Sequence, residues 1–419
     1  MPDAEEQAFA QALARDFCDA TRLNRHPEWR HLMPLIQTDQ AFDARKLDQL
    51  LRGAGGPGLA CGLSSVEAVA DSTLLEPAAE TVLPQPEQPD HYIFERFAGP
   101  LPVPPLWLHR IRGGFLSYDL RRPAAPQFYV FDASGALVDR LFFGSEPFLD
   151  PALATLEQPL VFADDMFPGF NICHLLFDKL PRLLLARQQQ AVSTVLLAHT
   201  SSYTKALMEA LGCTLIALAA LAPRGTLQLQ DAVYFSNSFG RIPHPGRFGS
   251  PRYREAFQQL RGELHRELPR PAPSQPNQRL FLTRPPGTPR SIVNQAALKP
   301  LLERFGIESI DPGALPFAQQ LQSFLTAETL IGVHGAGLSN MLWMPDGATV
   351  LELLPPLCAS ISYWGMAAPL QLNYHPLLCH DPELGAVPSR GRRHEVRHNR
   401  RQVEVPVDQL EQQLLQLLR

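Results

Sequence analysis

The chain has no pair of aspartates spaced D-x-D. Sugar-nucleotide enzymes that hold a divalent cation usually use that spacing, so a metal-bridged donor site of that kind is not expected. There is no G-x-S-x-G elbow and no Walker A loop, which removes the common hydrolase and P-loop readings. No segment approaches the ~20 continuous apolar residues of a membrane span. The six cysteines (Cys18, Cys61, Cys173, Cys213, Cys358, Cys379) are scattered, without C-x-x-C or zinc spacing. Reduced, mostly buried thiols are therefore expected. Positive charge is also scarce. The 37 Lys and Arg against 42 Asp and Glu leave a net charge of -5, which argues against a dedicated nucleic-acid binder. The opening MPDAEEQAFAQALARDF is acidic and amphipathic rather than a secretory signal, so a cytoplasmic setting is expected.

What is present is the composition of a folded protein, 45% apolar and 19% charged over 419 residues. That length suits two domains of ~150–200 residues each. Residues 1–90 read as a helical and irregular extension, with Phe9, Leu13 and Phe17 at helical spacing. Residues 91–268 read as a first domain. It opens with the strand-like runs HYIFERF, PLWLHRI, QFYVFD and LVDRLFF, and turn residues such as Asp132–Gly135 suggest hairpins.

After Pro168 the pattern alternates, as in a parallel sheet covered by helices. NICHLLFDKLPRLLLARQQ is a helix that Pro181 should kink or restart. STVLLAHT, TLIALAA and DAVYFSN are strands, and YTKALMEALG is a helix. Pro269–Gln278 is a proline-rich linker. Residues 279–403 repeat the alternation as a second domain, and 404–419 form an amphipathic terminal helix. The expected class is α/β, two-lobed.

The stretch LIGVHGAGLSNMLWMPDGATVLELLP (Leu330–Pro355) is the most informative. It reads as strand, small-residue turn (His334–Gly337), short helix, Pro-Asp-Gly turn and strand. Small residues there leave backbone N–H groups and the positive end of the helix open to an anion. His334 adds a ring that can donate to a phosphate or sugar. Such turns also occur without ligands. The dinucleotide fingerprint is not met, because Asn340 stands where its third glycine belongs, which counts against a nicotinamide dehydrogenase.

Arg284 and Arg290, in FLTRPPGTPRSIVNQ, flank a stiff loop between a strand and a helix. They suit a bidentate grip on a diphosphate, or are solvated loop arginines; beside the glycine turn the first is favoured. Asn294 and Gln320 offer amides to a base, a ribose or a neighbouring loop. Glu352, in the apolar strand VLELLP, needs a partner: ribose hydroxyls, or a salt bridge to Arg284 or Arg290. His174 and Asp178 share a helical face at i,i+4 spacing. The carboxylate could orient the imidazole as a general base, or the two could be an ordinary helix-face pair. The basic run Arg390–Arg401 reads as a solvated segment, with an anionic membrane surface or polyanionic substrate as the minority reading.

In order, NICHLLFDKLPRLL, FLTRPPGTPRSIVNQ and LPFAQQLQSFLTAETLIGVHGAGLSNMLWMPDGATVLELLP resemble glycosyltransferase family 61, over roughly residues 165–355. That family includes bacterial capsule-type enzymes, plant xylan arabinosyl- and xylosyltransferases, and animal O-linked N-acetylglucosaminyltransferases. The resemblance implies a GT-B-like arrangement of two Rossmann-like domains facing a cleft, a nucleotide-sugar donor and inversion at the anomeric centre. It assigns Arg284, Arg290, Asn294, Gln320, His334, Gly335, Ala336, Gly337, Asn340 and Glu352 to the donor side. His174 and Asp178 would face the cleft from the first domain. The family's Asn-Glu pair reads Asn294-Gln295 here, and its Glu-Gln pair reads Gln319-Gln320, so two acids have become amides. The resemblance does not extend to residues 1–150.

The expectation is an inverting glycosyltransferase without metal or other cofactor. It would take a nucleotide sugar, a UDP-sugar first, to a hydroxyl of a glycan or protein acceptor in bacterial polysaccharide or glycoconjugate synthesis. The rival is a non-catalytic sugar-nucleotide-binding protein on the same fold.

Overall fold

The computed structural model describes residues 71–418, except 77–78, 87–93, 95–98, 104–105, 123–125, 141–146, 165–170, 236–250, 268–277, 357, 359, 361 and 384–400. The expectations for residues 1–55, Cys18, Cys61, most of HYIFERF, the linker up to Asn277 and the basic run up to Arg400 lie outside the described residues. The chain divides into two compact units, residues 1–80 with 102–247, and residues 81–101 with 248–419.

The first unit is built on a mixed sheet. Its strands are β1 (Ser72–Glu76), β4 (Leu106–Asp119), β5 (Gln127–Phe131), β6 (Leu137–Arg140), β7 (Ala154–Leu156), β8 (Leu160–Phe162), β9 (Thr194–Leu197), β10 (Thr214–Ala217) and β11 (Arg224–Phe235). Two further strands, β2 (Ala79–Val82) and β3 (Pro100–Val103), pair with each other. The main order is β10-β9-β8-β11-β4-β5-β6, with β1 on β4 and β7 on β11. From β10 to β11 the pairs are parallel, and from β11 through β4, β5 and β6 they are antiparallel. The hairpin segment and the alternating segment, read apart in the sequence, therefore share one sheet through β4 and β11. The strands after Pro168 pair in parallel as read, and β11 also pairs antiparallel with β4. The β5–β6 hairpin is closed locally: Asp132 Oδ1 accepts from the N–H groups of Ser134 (2.8 Å) and Ala136 (3.0 Å), and Gly135 takes φ +84°.

The expected helix after Pro168 is three pieces. A short α turn (Ile172–His174), capped by Asn171, leads into a π-helical turn (Leu175–Lys179) and then α1 (Leu180–Gln189). Pro181 sits in the first turn of α1, where its missing N–H costs nothing, so it restarts the helix rather than bending it. α2 (Ser202–Ala210) and α3 (Leu218–Leu221) complete the unit.

The second unit holds a purely parallel sheet. Its elements are α4 (Pro251–Glu267), β12 (Gln278–Leu282), α5 (Gln295–Arg304), β13 (Ile307–Ile310), α6 (Phe317–Leu325), β14 (Ala327–Val333), β15 (Thr349–Leu354), α7 (Ser362–Ala367), β16 (Asn373–Leu378) and α8 (Val407–Leu417). The strand order is β13-β12-β14-β15-β16. The chain steps from β12 out to β13, then crosses back to β14 on the other side. That reversal leaves a crevice at the carboxyl ends of β12 and β14, where open α/β sheets take ligands.

Helix α4 groups with this unit, although the sequence placed it in the first domain. The terminal helix is not separate either: Leu410 and Leu414 of α8 are fully buried with Leu298, Leu301 and Leu351. Leu83 and Phe94 enter a second cluster with Leu354, Cys358 and Trp364. Among the described cysteines, Cys358 and Cys379 are buried and Cys173 and Cys213 half-buried. Among the described residues no helix is long and apolar enough to cross a membrane.

Candidate functional site

The carboxyl ends of β12 and β14 bring Arg284 and His334 together, 50 positions apart in the chain. Arg284 follows β12, and the His334–Gly337 turn follows β14. The Arg284 Nη1 donates to Pro289 O at 3.1 Å, and its Nη2 reaches His334 O at 3.5 Å. A Cβ on Gly335 would lie 1.7 Å from that Nη2, so the guanidinium occupies the space that glycine leaves. Burial and the nearby charge of Arg290 both push the Arg284 pKa down. Two guanidinium groups are thus held close enough to repel, and an anion between them would relieve that cost. Arg290 is itself held at φ +62°, which is rare for a side-chain-bearing residue.

After Gly335 the chain forms a 3-10 helix, Ala336–Trp343, rather than an α-helix. Leu338 N–H donates to Gly335 O at 2.9 Å, which leaves the N–H groups of Ala336 and Gly337 without partners within the helix. Asn340 is buried, its Nδ2 donating to Gly337 O at 2.9 Å. Its Oδ1 and the buried Ser339 Oγ lack hydrogen-bond partners among the described residues.

Below the turn, His334 Nδ1 meets Glu352 Oε1 at 2.5 Å, and Glu352 Oε2 accepts from the Tyr374 hydroxyl at 2.6 Å. The Tyr363 hydroxyl donates to Gly335 O at 2.6 Å. Burial works against charge on His334, but Cys358 and the Glu352 carboxylate outweigh it and raise the imidazole pKa to about 10. Burial, with the Glu352 charge added, pushes the Tyr374 hydroxyl well above its ordinary value.

In the first unit, His174 Nδ1 lies 2.7 Å from Asp178 Oδ2. Asp178 is buried in the π turn, and His174 is half-buried beside it. Lys179, also buried, pairs with Asp164, which follows β8 and also accepts from the Ala198 N–H just past β9. This pins the π turn to the carboxyl ends of two parallel strands. π turns recur at functional sites.

Residues 172–351 match the family model described as Glycosyltransferase 61. The resemblance drawn from the motifs holds over this stretch, which is similar to glycosyltransferase family 61. It begins in the first unit and ends within β15 of the second. The EGF domain-specific O-linked N-acetylglucosamine transferase of Drosophila melanogaster is 33% identical over 94 residues, 22% of this chain. The match spans 18% of that relative's length.

Within the matched stretch, Arg284, Arg290, His334, Gly335, Ala336 and Gly337 converge at the switch point. Glu352 lies one residue past the match, and its partners are His334 and Tyr374 rather than either arginine. Asn294 is committed to the backbone. Its Nδ2 donates to Val405 O (2.8 Å) and its Oδ1 accepts from Val405 N–H (3.0 Å). Gln320 is buried on α6 and donates to Leu315 O at 3.1 Å. Both amides therefore hold neighbouring loops. Gln295 opens α5, and Gln319 is exposed.

Sequence reasoning missed Tyr363, Tyr374, Lys179 and Asp164. Lys179 carried a signal, since a charge inside LLFDKLPRLLL has to be answered by a partner. A separate cavity of about 290 Å³, lined by Gln258, Arg261, Asp346, Leu370 and Gln371, lies before β15 and β16, away from this site. Its arginine is neutralised by Asp346.

Proposed function

We propose that the chain is an inverting, metal-independent glycosyltransferase. It moves a sugar from a nucleotide-sugar donor, a UDP-sugar first, to a hydroxyl of a glycan or protein acceptor, in a cytoplasmic setting. The supporting observation is the meeting of Arg284, Arg290 and the His334–Gly337 turn at the carboxyl ends of β12 and β14. A departing nucleoside diphosphate gains negative charge as the glycosidic bond breaks. Two guanidinium groups and the first-turn N–H groups stabilise that charge without reorganising. The acceptor oxygen attacks the anomeric carbon from the opposite face and gives up its proton to a general base; in the first unit Asp178 holds the His174 ring as such a base requires.

The test is calorimetry against UDP, GDP, CMP and their sugar conjugates, with and without EDTA, followed by transfer assays. Arg284→Ala should abolish binding of the preferred nucleotide and lower turnover by ~10²-fold or more. Normal turnover in a folded Arg284→Ala protein would sink the assignment. The amides at Gln295 and Gln319, where family 61 has acids, favour a second reading, a sugar-nucleotide binder without catalysis. Binding without transfer across a broad acceptor panel would select it.

A further inference from the structure

The polar groups beneath the glycine turn form one connected chain. The His334 N–H donates to Leu353 O of β15 at 3.1 Å, continuing the β14–β15 register in which Gly332 faces Glu352. Glu352 joins the His334 ring at 2.5 Å to the Tyr374 hydroxyl of β16 at 2.6 Å. Tyr363 of α7 stands edge-on to that ring, 5.2 Å between centroids, while its hydroxyl holds Gly335 O. Glu352 is 1% exposed and His334 6%. A carboxylate so buried is costly unless a cation answers it. A protonated His334 imidazole, 2.5 Å away, is placed to supply one.

We propose that Glu352 and Tyr374 are positioning residues that keep His334 as a buried imidazolium under the His334–Gly337 turn, so that the donor's diphosphate meets a fixed positive charge it does not touch. This rests on the donor-site reading above. The groups that face His334 are Glu352 from β15, Tyr374 from β16, Tyr363 from α7, Cys358 from the loop after β15, and Arg284 at its carbonyl. Of these, Glu352 is the one whose negative charge Glu352→Gln removes while its shape is kept. Burial then shifts the ring towards the neutral form, opposed by Cys358 alone.

The experiment uses the full chain as wild type, Glu352→Gln, Tyr374→Phe and Arg284→Ala. The charge on His334 is read by ¹⁵N-histidine NMR, assigned with His334→Gln, and UDP affinity is read by calorimetry from pH 5.5 to 8.5. Wild type should show the imidazolium at pH 7.5. Glu352→Gln should show a neutral ring and about fivefold or weaker UDP binding there. Its deficit relative to wild type should narrow towards pH 5.5 as the ring takes a proton. UDP's own ionisation cancels in that ratio. Tyr374→Phe should give a smaller change of the same sign, and carries the comparison if Glu352→Gln does not fold. A neutral ring in wild type overturns the inference. So does equal UDP affinity in wild type and Glu352→Gln while Arg284→Ala binds weakly, and that result leaves the donor site standing. UDP affinity altered by neither Arg284→Ala nor Glu352→Gln overturns the donor reading and this inference with it.

Discussion

At the scale of single residues, two positions put opposing demands on stability. Arg290 holds its guanidinium near Arg284 from a left-handed backbone, φ +62°. Such a conformation costs a side-chain-bearing residue about 1 kcal/mol. Arg290→Gly should therefore stabilise the protein in denaturant titration by about that amount, yet weaken UDP binding. An unchanged UDP affinity would remove Arg290 from the donor site. His109 on β4 is buried, 2.7 Å from the Ser72 hydroxyl, and burial lowers its pKa from 6.5 to about 4. Above pH 6.5 the ring is neutral in both states and has no effect. Between 6.5 and about 4 the unfolded chain takes up a proton that the folded protein refuses, so stability falls as the pH drops through that window. His109→Gln should flatten the melting temperature over those pH values, and a slope identical to wild type would contradict the assignment.

At the scale of elements, what holds the π turn in place is a buried ion pair. Lys179 and Asp164 are almost wholly inaccessible, and Asp164 also takes the Ala198 N–H. Lys179→Met takes the cation from a buried carboxylate, and should cost about 3–5 kcal/mol in urea titration. Adding Asp164→Asn should return most of that loss, and a double variant no better than the single one would argue against the pair.

This pairing was not legible in the sequence, because Lys179 and Asp164 meet only when the turn folds onto β8 and β9. The His174–Asp178 contact was legible, since four residues bring side chains together on any helical turn. The same contrast runs through the second unit. β12, β14 and β15 stood out as apolar runs before turns. β16 did not, because Asn373-Tyr374-His375-Pro376 lacks the pattern of a buried strand, so Tyr374 went unseen as the partner of Glu352. Arg284 and the glycine turn were both read as anion-binding pieces. That they share one site follows from the crossover between β12 and β14, which no local pattern encodes.

At the scale of the whole molecule, the order of the chain and the order of the units differ. The second unit is not one continuous segment, since residues 81–101 belong to it although 102–247 do not. A domain boundary placed by composition at a proline-rich stretch cannot reveal this, because the decision lies in packing. Leu83 and Phe94 are each 2% exposed in a cluster with Leu354, Cys358 and Trp364. The Phe94 and Trp364 rings meet edge to face at 5.0 Å, and the Trp364 indole N–H donates to Pro84 O at 2.6 Å. Leu354 ends β15, the strand that carries Glu352, and Cys358 is the residue that touches His334. The excursion of the chain through 81–101 therefore supports the floor of the proposed donor site from a distance in sequence. Phe94→Ala should cost about 3–5 kcal/mol in denaturant titration, the range for an aromatic lost from a core. It should also weaken UDP binding, because the cavity lies behind β15. A variant destabilised to that extent that binds UDP with wild-type affinity would show that this cluster supports the fold without shaping the site.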